Sequence, residues 1–473
     1  MTTNMSNNKE LNWVEKEFVN VDIGDKRLEK RLITIVKHFA NNPYAQIPQA
    51  MESFGNAKGA YRFFDNKKVT VDKIINPHIN ETTKRIKGNK IVLAIQDTTI
   101  LNYSSHPSVT NIGPVGNDVN RGLVLHPTLA VLLDNIPLGI IDFNIWVRKE
   151  VGNGKDRHEL DVKEKESYKW LNSYLATAKL EKELEGVHFV SICDREGDIY
   201  ELFKEAENIE NKDKMPDILI RAAQNRRVEH PQKKLWKHME SQEIAGKEKI
   251  LVPRKKGVSG RKATLSIRYA EVYIKAPISN KNIKSTDSVK LWVVYAKEEN
   301  PPDKVEPISW MLLTTIPVEN LDQAIEKIEW YMQRWIIELF FKMLKSGCRV
   351  EKRQLKDGKR LKNCIAIDAI IAWRVLFLTY IGRAIPDLPA SVIFEKYEWE
   401  ALQAYVNTYV NKKKKKRILT KEPLLGEVIK IIAKLGGYLD RKSDGPPGMM
   451  TIWEGLKALH YITAMWKMFN SSD

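Results

Sequence analysis

Two short apolar runs, each ending on an aspartate, constrain this chain more than any other feature. Residues 91–96 read Ile91-Val92-Leu93-Ala94-Ile95-Gln96 and lead into Asp97. Residues 188–193 read His188-Phe189-Val190-Ser191-Ile192-Cys193 and lead into Asp194. Runs this short and apolar predict buried strands. Each therefore delivers a carboxylate to the end of a buried strand. Taken alone, Asp97 is equally compatible with an ordinary turn aspartate. The neighbouring sequence extends the pattern. Residues 122–133 and 137–147 read as two further strands joined at Asp134-Asn135, which with the first suggest an antiparallel meander. Residues 164–177 predict a helix. Residues 198–206 predict another, giving strand, acidic turn, helix. Residues 218–221 form a short strand ending on Arg221, and residues 310–316 return to buried-strand character.

Residues 331–345 carry a third carboxylate. They predict one amphipathic helix. At about 100° per residue, Tyr331, Arg334, Glu338 and Lys345 fall within a stripe of roughly 60°. Met332, Ile336, Leu339, Phe340 and Met343 fall on the far flank and predict its buried side. Two readings of the polar stripe are open. Arg334 and Glu338 stand four apart and suit an exposed ion pair. A carboxylate among cations also suits a metal beside a phosphate.

Size and charge narrow the classes. A chain of 473 residues exceeds one ordinary core, so two to four domains are expected. A hydrophobic content of 43% excludes a disordered chain. No apolar run is expected to span a bilayer, and the polar residues 1–9 lack a secretory h-region. Three cysteines without metal-ligand spacing and nine scattered histidines argue against a disulfide framework or a zinc site, and favour a reducing cytoplasm. A net charge of +17 with a pI near 9.4 favours a polyanionic partner, nucleic acid first. No basic amphipathic anchor supports a membrane partner. A merely lysine-rich protein has the same balance.

Three other regions complete the chain. Residues 1–75 read as a helical module. Asp25 can cap a helix over residues 26–40, with Leu28, Leu32, Ile35, Val36 and Phe39 on one face and Arg27, Lys30 and Arg31 among its cations. A second helix over residues 57–64 carries Lys58 and Arg62. The pair fits a DNA-reading unit or a plain helical cap. Residues 225–305 alternate as antiparallel strands around a basic loop whose Arg254, Lys255 and Lys256 suit flexible phosphate contacts. Residues 364–381, 390–412, 423–435 and 452–469 read as a helical bundle. Its cation run at 412–417 suits a solvated loop or a DNA backbone contact.

Asp97, Asp194 and Glu338 together make an all-oxygen donor set. Such a set suits two Mg²⁺ ions, with Mn²⁺ as a substitute, and in-line phosphoryl transfer. The pattern Tyr331-x2-Arg334-x3-Glu338-x6-Lys345 resembles the signature of the DDE transposases of the insertion-sequence-four family. Surrounding words resemble it too: Ile95-Gln96-Asp97-Thr98-Thr99, Cys193-Asp194-Arg195-Glu196, Trp310 with its following strand, Ala60-Tyr61-Arg62-Phe63, Gly436-Gly437-Tyr438-Leu439-Asp440 and Trp453-Glu454-Gly455. The likeness spans nearly the whole chain.

The resemblance implies a mixed α/β chain: a helical DNA-end-binding domain over 1–75, a ribonuclease-H-like core over 76–224 and 306–360, an inserted antiparallel β domain over 225–305, and a helical dimerisation region over 361–473. It implies that Asp97, Asp194 and Glu338 are catalytic and hold the metals. Tyr331, Arg334 and Lys345 would hold phosphates, with Arg221 and Lys342 as further DNA contacts. Trp310 matches a position that stacks on a flipped base, with ordinary core packing as the plainer alternative. Where the family often has histidine, this chain has Phe341. The implied activity is bacterial cut-and-paste transposition: end nicking, hairpin formation and resolution, then strand transfer. The implied partners are the inverted-repeat ends, target DNA and a second copy of the chain in a synaptic complex. Two alternatives stay open: an endonuclease of the same fold without strand transfer, and a non-catalytic DNA-binding inhibitor.

Overall fold

The structure is a computed structural model that describes residues 12–42, 44–148, 165–207, 215–252, 260–278, 287–410 and 422–470. The runs at 254–256 and 412–417 lie outside the described residues. Among those described, eleven strands join one sheet. They are β1 Ile91–Gln96, β2 Thr99–Asn102, β3 Gly113–Val115, β4 Asn117–Val131, β5 Pro137–Trp146, β6 His188–Cys193, β7 Asp217–Arg221, β8 Gly246–Val252, β9 Arg261–Lys275, β10 Ser288–Glu299 and β11 Ser309–Thr314. β4 pairs antiparallel with both β1 and β5, which is the meander. β6 then pairs parallel with β1, and β7 parallel with β6. Helix Tyr168–Glu183 leads into β6, and helix Tyr200–Ala206 connects β6 to β7. The order β5-β4-β1-β6-β7 is that of a ribonuclease-H-like core.

The inserted strands are antiparallel, as their alternation predicts. They extend the core sheet instead of forming a sheet of their own. The join is β11, which pairs with β7 through Leu312 opposite Arg221 and with β10 through Leu312 opposite Val294. Alternate side chains of β10 then face two cores. Leu291, Val293 and Tyr295 pack with Trp170, Tyr174 and Phe203, while Val294 and Ala296 join the main cluster.

Three expectations need correction. The single helix over 331–345 is broken into Leu321–Met332, Trp335–Lys342 and a π-helical turn, Met343–Gly347. At the break the backbone tightens, with Arg334 N–H donating to Tyr331 O at 3.0 Å and Ile336 N–H to Gln333 O at 2.9 Å. The Gln333 side chain donates to Leu133 O at 2.6 Å and anchors the turn. A uniform wheel therefore misplaces the faces. Tyr331 and Phe341 are buried, whereas Met332 is 36% exposed.

Second, helix Val71–Ile86 runs through the expected domain boundary at 75. Pro77 lies within it, where a proline ordinarily breaks a helix, and its buried face mixes His78 and Thr82 with Ile74, Ile75 and Ile86. His78 is committed structurally: its Nε2 accepts from Ile140 N–H at 2.9 Å and its Nδ1 meets Glu17 Oε1 at 2.5 Å.

Third, helix Gly358–Ala384, 27 residues, crosses the expected boundary at 361 and is long and apolar enough to cross a bilayer. The most apolar stretch is 89% buried inside the protein, which makes it a core helix. It packs against helix Val71–Ile86, β5 and the C-terminal helices Leu425–Leu435 and Met449–Asn470. Near its start Arg353 reaches both Asp368 oxygens, at 3.0 and 2.6 Å, and donates to Ala45 O at 2.8 Å. That buried pair ties the N-terminal helices to the core.

Candidate active site

β1 and β6 are parallel neighbours with Ile95 opposite Ile192. Two residues further on, the chain leaves each strand at Asp97 and at Asp194. The parallel register places both aspartates at one edge of the sheet. Local bonds fix their backbones. Thr98 N–H donates to Asp97 Oδ1 at 2.7 Å, and Glu196 N–H donates to Asp194 Oδ1 at 2.8 Å, making Asp194 the cap of the turn Arg195–Gly197.

A polar rod lies beneath them. Thr98 Oγ1 donates to His126 Nδ1 at 2.8 Å, His126 Nε2 donates to Gln96 Oε1 at 3.1 Å, and Gln96 Nε2 donates to Ser191 Oγ at 2.9 Å. The tautomer follows from this network. Burial, aided by nearby Lys169, pushes His126 down to about 3, so the imidazole is neutral. The rod fastens the Asp97 strand to the Asp194 strand. Sequence reading missed it. Its only signal is polar residues, Gln96 and Ser191, inside otherwise apolar strands.

The broken helix brings in the third carboxylate. Arg334 stands at the break, so its side chain reaches two ways. Nη1 lies 3.0 Å from Asp97 Oδ2, and Nη2 pairs with Glu338 Oε1. The structure thus joins Asp97, Arg334 and Glu338 directly, with the Asp194 charge beside Asp97. Burial pushes Asp97 up to about 7. The Asp194 and Glu338 charges add to the rise, against the pull of Arg334 and Thr98 N–H. Burial also raises Asp194, against Glu196 N–H and Arg334. This edge therefore holds more negative charge than one guanidinium offsets. Carboxylate oxygens short of cationic partners fit a hard divalent ion. Among the described residues, no three side chains already form a metal cage.

The other expected residues divide. Tyr331 is buried and meets the Trp310 ring edge-on, 5.6 Å between centroids. Arg221, at the end of β7, donates to Ser309 O at 2.9 Å and faces the Tyr331 phenol. Burial lowers Arg221 and raises Tyr331. Trp310, Tyr331 and Arg221 thus form one wall beside Arg334. Lys345 is half-buried on the π-helical turn, where burial lowers it against the pull of Glu351. Lys342 is exposed.

On helices Lys26–Asn41 and Phe54–Asp65, Arg27, Lys30 and Arg62 are exposed. Arg27 pairs with Asp25 at 3.0 Å. Arg31 instead pins the two helices together. Its Nη1 donates to Asn56 Oδ1 at 3.2 Å, and its guanidinium fills the space where a Cβ on Gly59 would sit, 2.7 Å away. Asp198, near Asp194 in sequence, is also structural. It accepts from Ala223 N–H, Gln224 N–H and Arg226 Nε, the last at 2.6 Å.

Comparison with known protein families finds three matches. A transposase DNA-binding family matches residues 10–69, a transposase DDE domain matches residues 148–373, and a transposase Tn5 dimerisation domain matches residues 370–468. Asp194, Arg221, Trp310, Tyr331, Arg334, Glu338 and Lys345 fall within the second match. Asp97 lies before it, and the pairing of β1 with β6 brings it there.

Proposed function

Because the chain belongs to the Tn5-like DDE transposases, we propose that it performs cut-and-paste transposition with Asp97, Asp194 and Glu338 as its catalytic carboxylates. The observation that carries the assignment is the Arg334 bridge. It places a strand-end aspartate and a helix-borne glutamate in one contact, beside a second strand-end aspartate. DDE transposase domains typically use a divalent metal; bound at these carboxylates, Mg²⁺ or Mn²⁺ would polarise the scissile phosphate and offset its developing charge.

The chain's own residues account for the rest. Arg334, Arg221 and Lys345 supply cations around the edge where a phosphate has to sit, and the Tyr331 hydroxyl adds a donor. The rod from Thr98 to Ser191 keeps the two aspartates in register while the strand passes. The order of events is hydrolysis at the transposon end, attack of the freed 3′-hydroxyl on the opposite strand to close a hairpin, hairpin opening, and joining to target DNA. A hairpin that tight needs an unstacked base, and the half-buried Trp310 is the ring we assign to stack on it. The exposed cations Arg27, Lys30 and Arg62 suit contacts to the end duplex.

The protein binds DNA and forms a homodimer, as its DNA-binding and dimerisation families do. The exposed stripe Tyr461, Met465, Met468 and Phe469 on the last helix suits the dimer contact that holds two ends in a synaptic complex. Three buried free cysteines are compatible with work in a reducing bacterial cytoplasm.

The test is incubation with the element's own inverted-repeat ends and Mg²⁺, with nicked, hairpin and joined species resolved on a denaturing gel. All three species are expected. Nicks alone would instead favour an endonuclease of the same fold, and no cleavage at all would favour a DNA-binding inhibitor.

A further inference from the structure

Arg334 is more than a phosphate ligand in waiting. Its guanidinium occupies the gap between Asp97 and Glu338, with one nitrogen on each carboxylate. The two carboxylates come from different elements, β1 and helix Trp335–Lys342. The Arg334 side chain is 14% exposed, against 34% for Glu338, so one flank of the bridge opens to solvent. Its backbone lies in the tight turn between two helices, outside a regular helical ladder. The side chain can therefore swing without unwinding a helix.

We propose that Arg334 is a latch: without DNA it closes the Asp97–Glu338 gap to divalent cations, and a DNA phosphate draws it away and opens the gap. The proposal rests on the reading of Asp97 and Glu338 as metal ligands. A dication entering beside a seated guanidinium meets like charge. A phosphate offers the same planar donor fork a bidentate acceptor. It arrives where Arg221 and the Tyr331 phenol already favour an anion. The exchange then conserves charge pairing, with the guanidinium passing to phosphate and the carboxylates to metal. Linkage makes the effect mutual, so metal also tightens DNA binding. A protein latched in this way stays inactive as a nuclease until an end is bound.

Mn²⁺ uptake by the full-length protein, followed through the electron paramagnetic resonance signal of free Mn²⁺, tests the latch. The arms are wild type alone, wild type with an inverted-repeat duplex, Arg334→Gln alone, and the double variant Asp97→Asn/Arg334→Gln. Asp97→Asn protein with the duplex corrects for ions held by the DNA. Wild type alone is expected to bind Mn²⁺ at least about 10-fold more weakly than wild type with duplex. Arg334→Gln alone should match the DNA-bound wild type, and the double variant should lose that uptake. Equal Mn²⁺ affinity of wild type with and without duplex overturns the latch and leaves the metal ligands standing. No Asp97-dependent uptake in any arm overturns the metal reading, and the latch with it. A thermal melt checks that Arg334→Gln folds. If it does not, the two wild-type arms decide the question.

Discussion

Two arginines close together in this chain hold carboxylates in opposite ways. Arg353 grips both oxygens of Asp368, donates a further hydrogen bond to Ala45 O and lies over the Phe39 ring, 4.2 Å from its centroid. Both partners are sealed, at 2% and 0% exposed. Arg334 instead divides its guanidinium between two carboxylates on two elements, with a third nearby and one side open to solvent. The first is one cation against one anion with its bonds satisfied, and breaking such a buried pair is costly. The second is one cation against three carboxyl groups. Burial pushes Asp97 up to about 7, and the Asp194 and Glu338 charges add to the rise. The lesson is that matched charge with full burial marks a joint, while unmatched charge at a half-open edge marks a site.

Substitutions can break or sharpen this contrast. The largest effect is expected at Glu338. Glu338→Gln should slow cleavage of an end duplex by at least about 10³-fold, since a metal contributes several kcal/mol of transition-state stabilisation, while the melting temperature hardly moves. Full cleavage by this variant would remove Glu338 from the chemistry. Next is Arg353→Ala, expected to lower unfolding free energy in urea by about 3–5 kcal/mol, with cleavage per folded molecule retained. If stability held while cleavage fell, Arg353 would belong with the site and the contrast would collapse.

The smallest effect is a pH signature at Asp97. Its folded value of about 7 lies above the ordinary 3.8. The folded protein therefore holds the proton more tightly. The resulting stability is full below about 4 and is lost as pH rises through about 7. Without metal, Asp97→Asn should gain stability over wild type as pH rises from about 4 to about 8, because asparagine has no proton to lose. The advantage should vanish near pH 4. A difference that does not change with pH would mean that Asp97 titrates normally.

Much of the frame was legible residue by residue. Asp25 caps Lys26–Asn41 through Arg27 N–H, a signal contained within three residues. Strands β1, β6 and β7 and their terminal Asp97, Asp194 and Arg221 follow from short apolar runs. What escaped was nonlocal. The turn at Gln333 and Arg334 is held by Leu133 O and Asp97, some two hundred residues earlier, and no helical wheel contains them. The membrane-length helix became a core helix because Val71–Ile86, β5 and the C-terminal helices surround it. The rod through His126 needed three strands to assemble.

By itself, the sequence determined where the core strands β1, β4, β5, β6, β7 and β11 lie, that β1 and β6 lead into carboxylates, and which family the chain resembles. Hydrophobic period, capping and motif spacing are all written within a few turns of chain. Only the tertiary structure decided that Arg334 spans Asp97 and Glu338, that β11 welds the inserted strands to the core, and that Arg31 and Arg353 are joints. Those outcomes depend on burial and on charges brought together from distant segments. A side chain's partner and its solvation, which set its charge and its role, exist only once the chain has closed on itself.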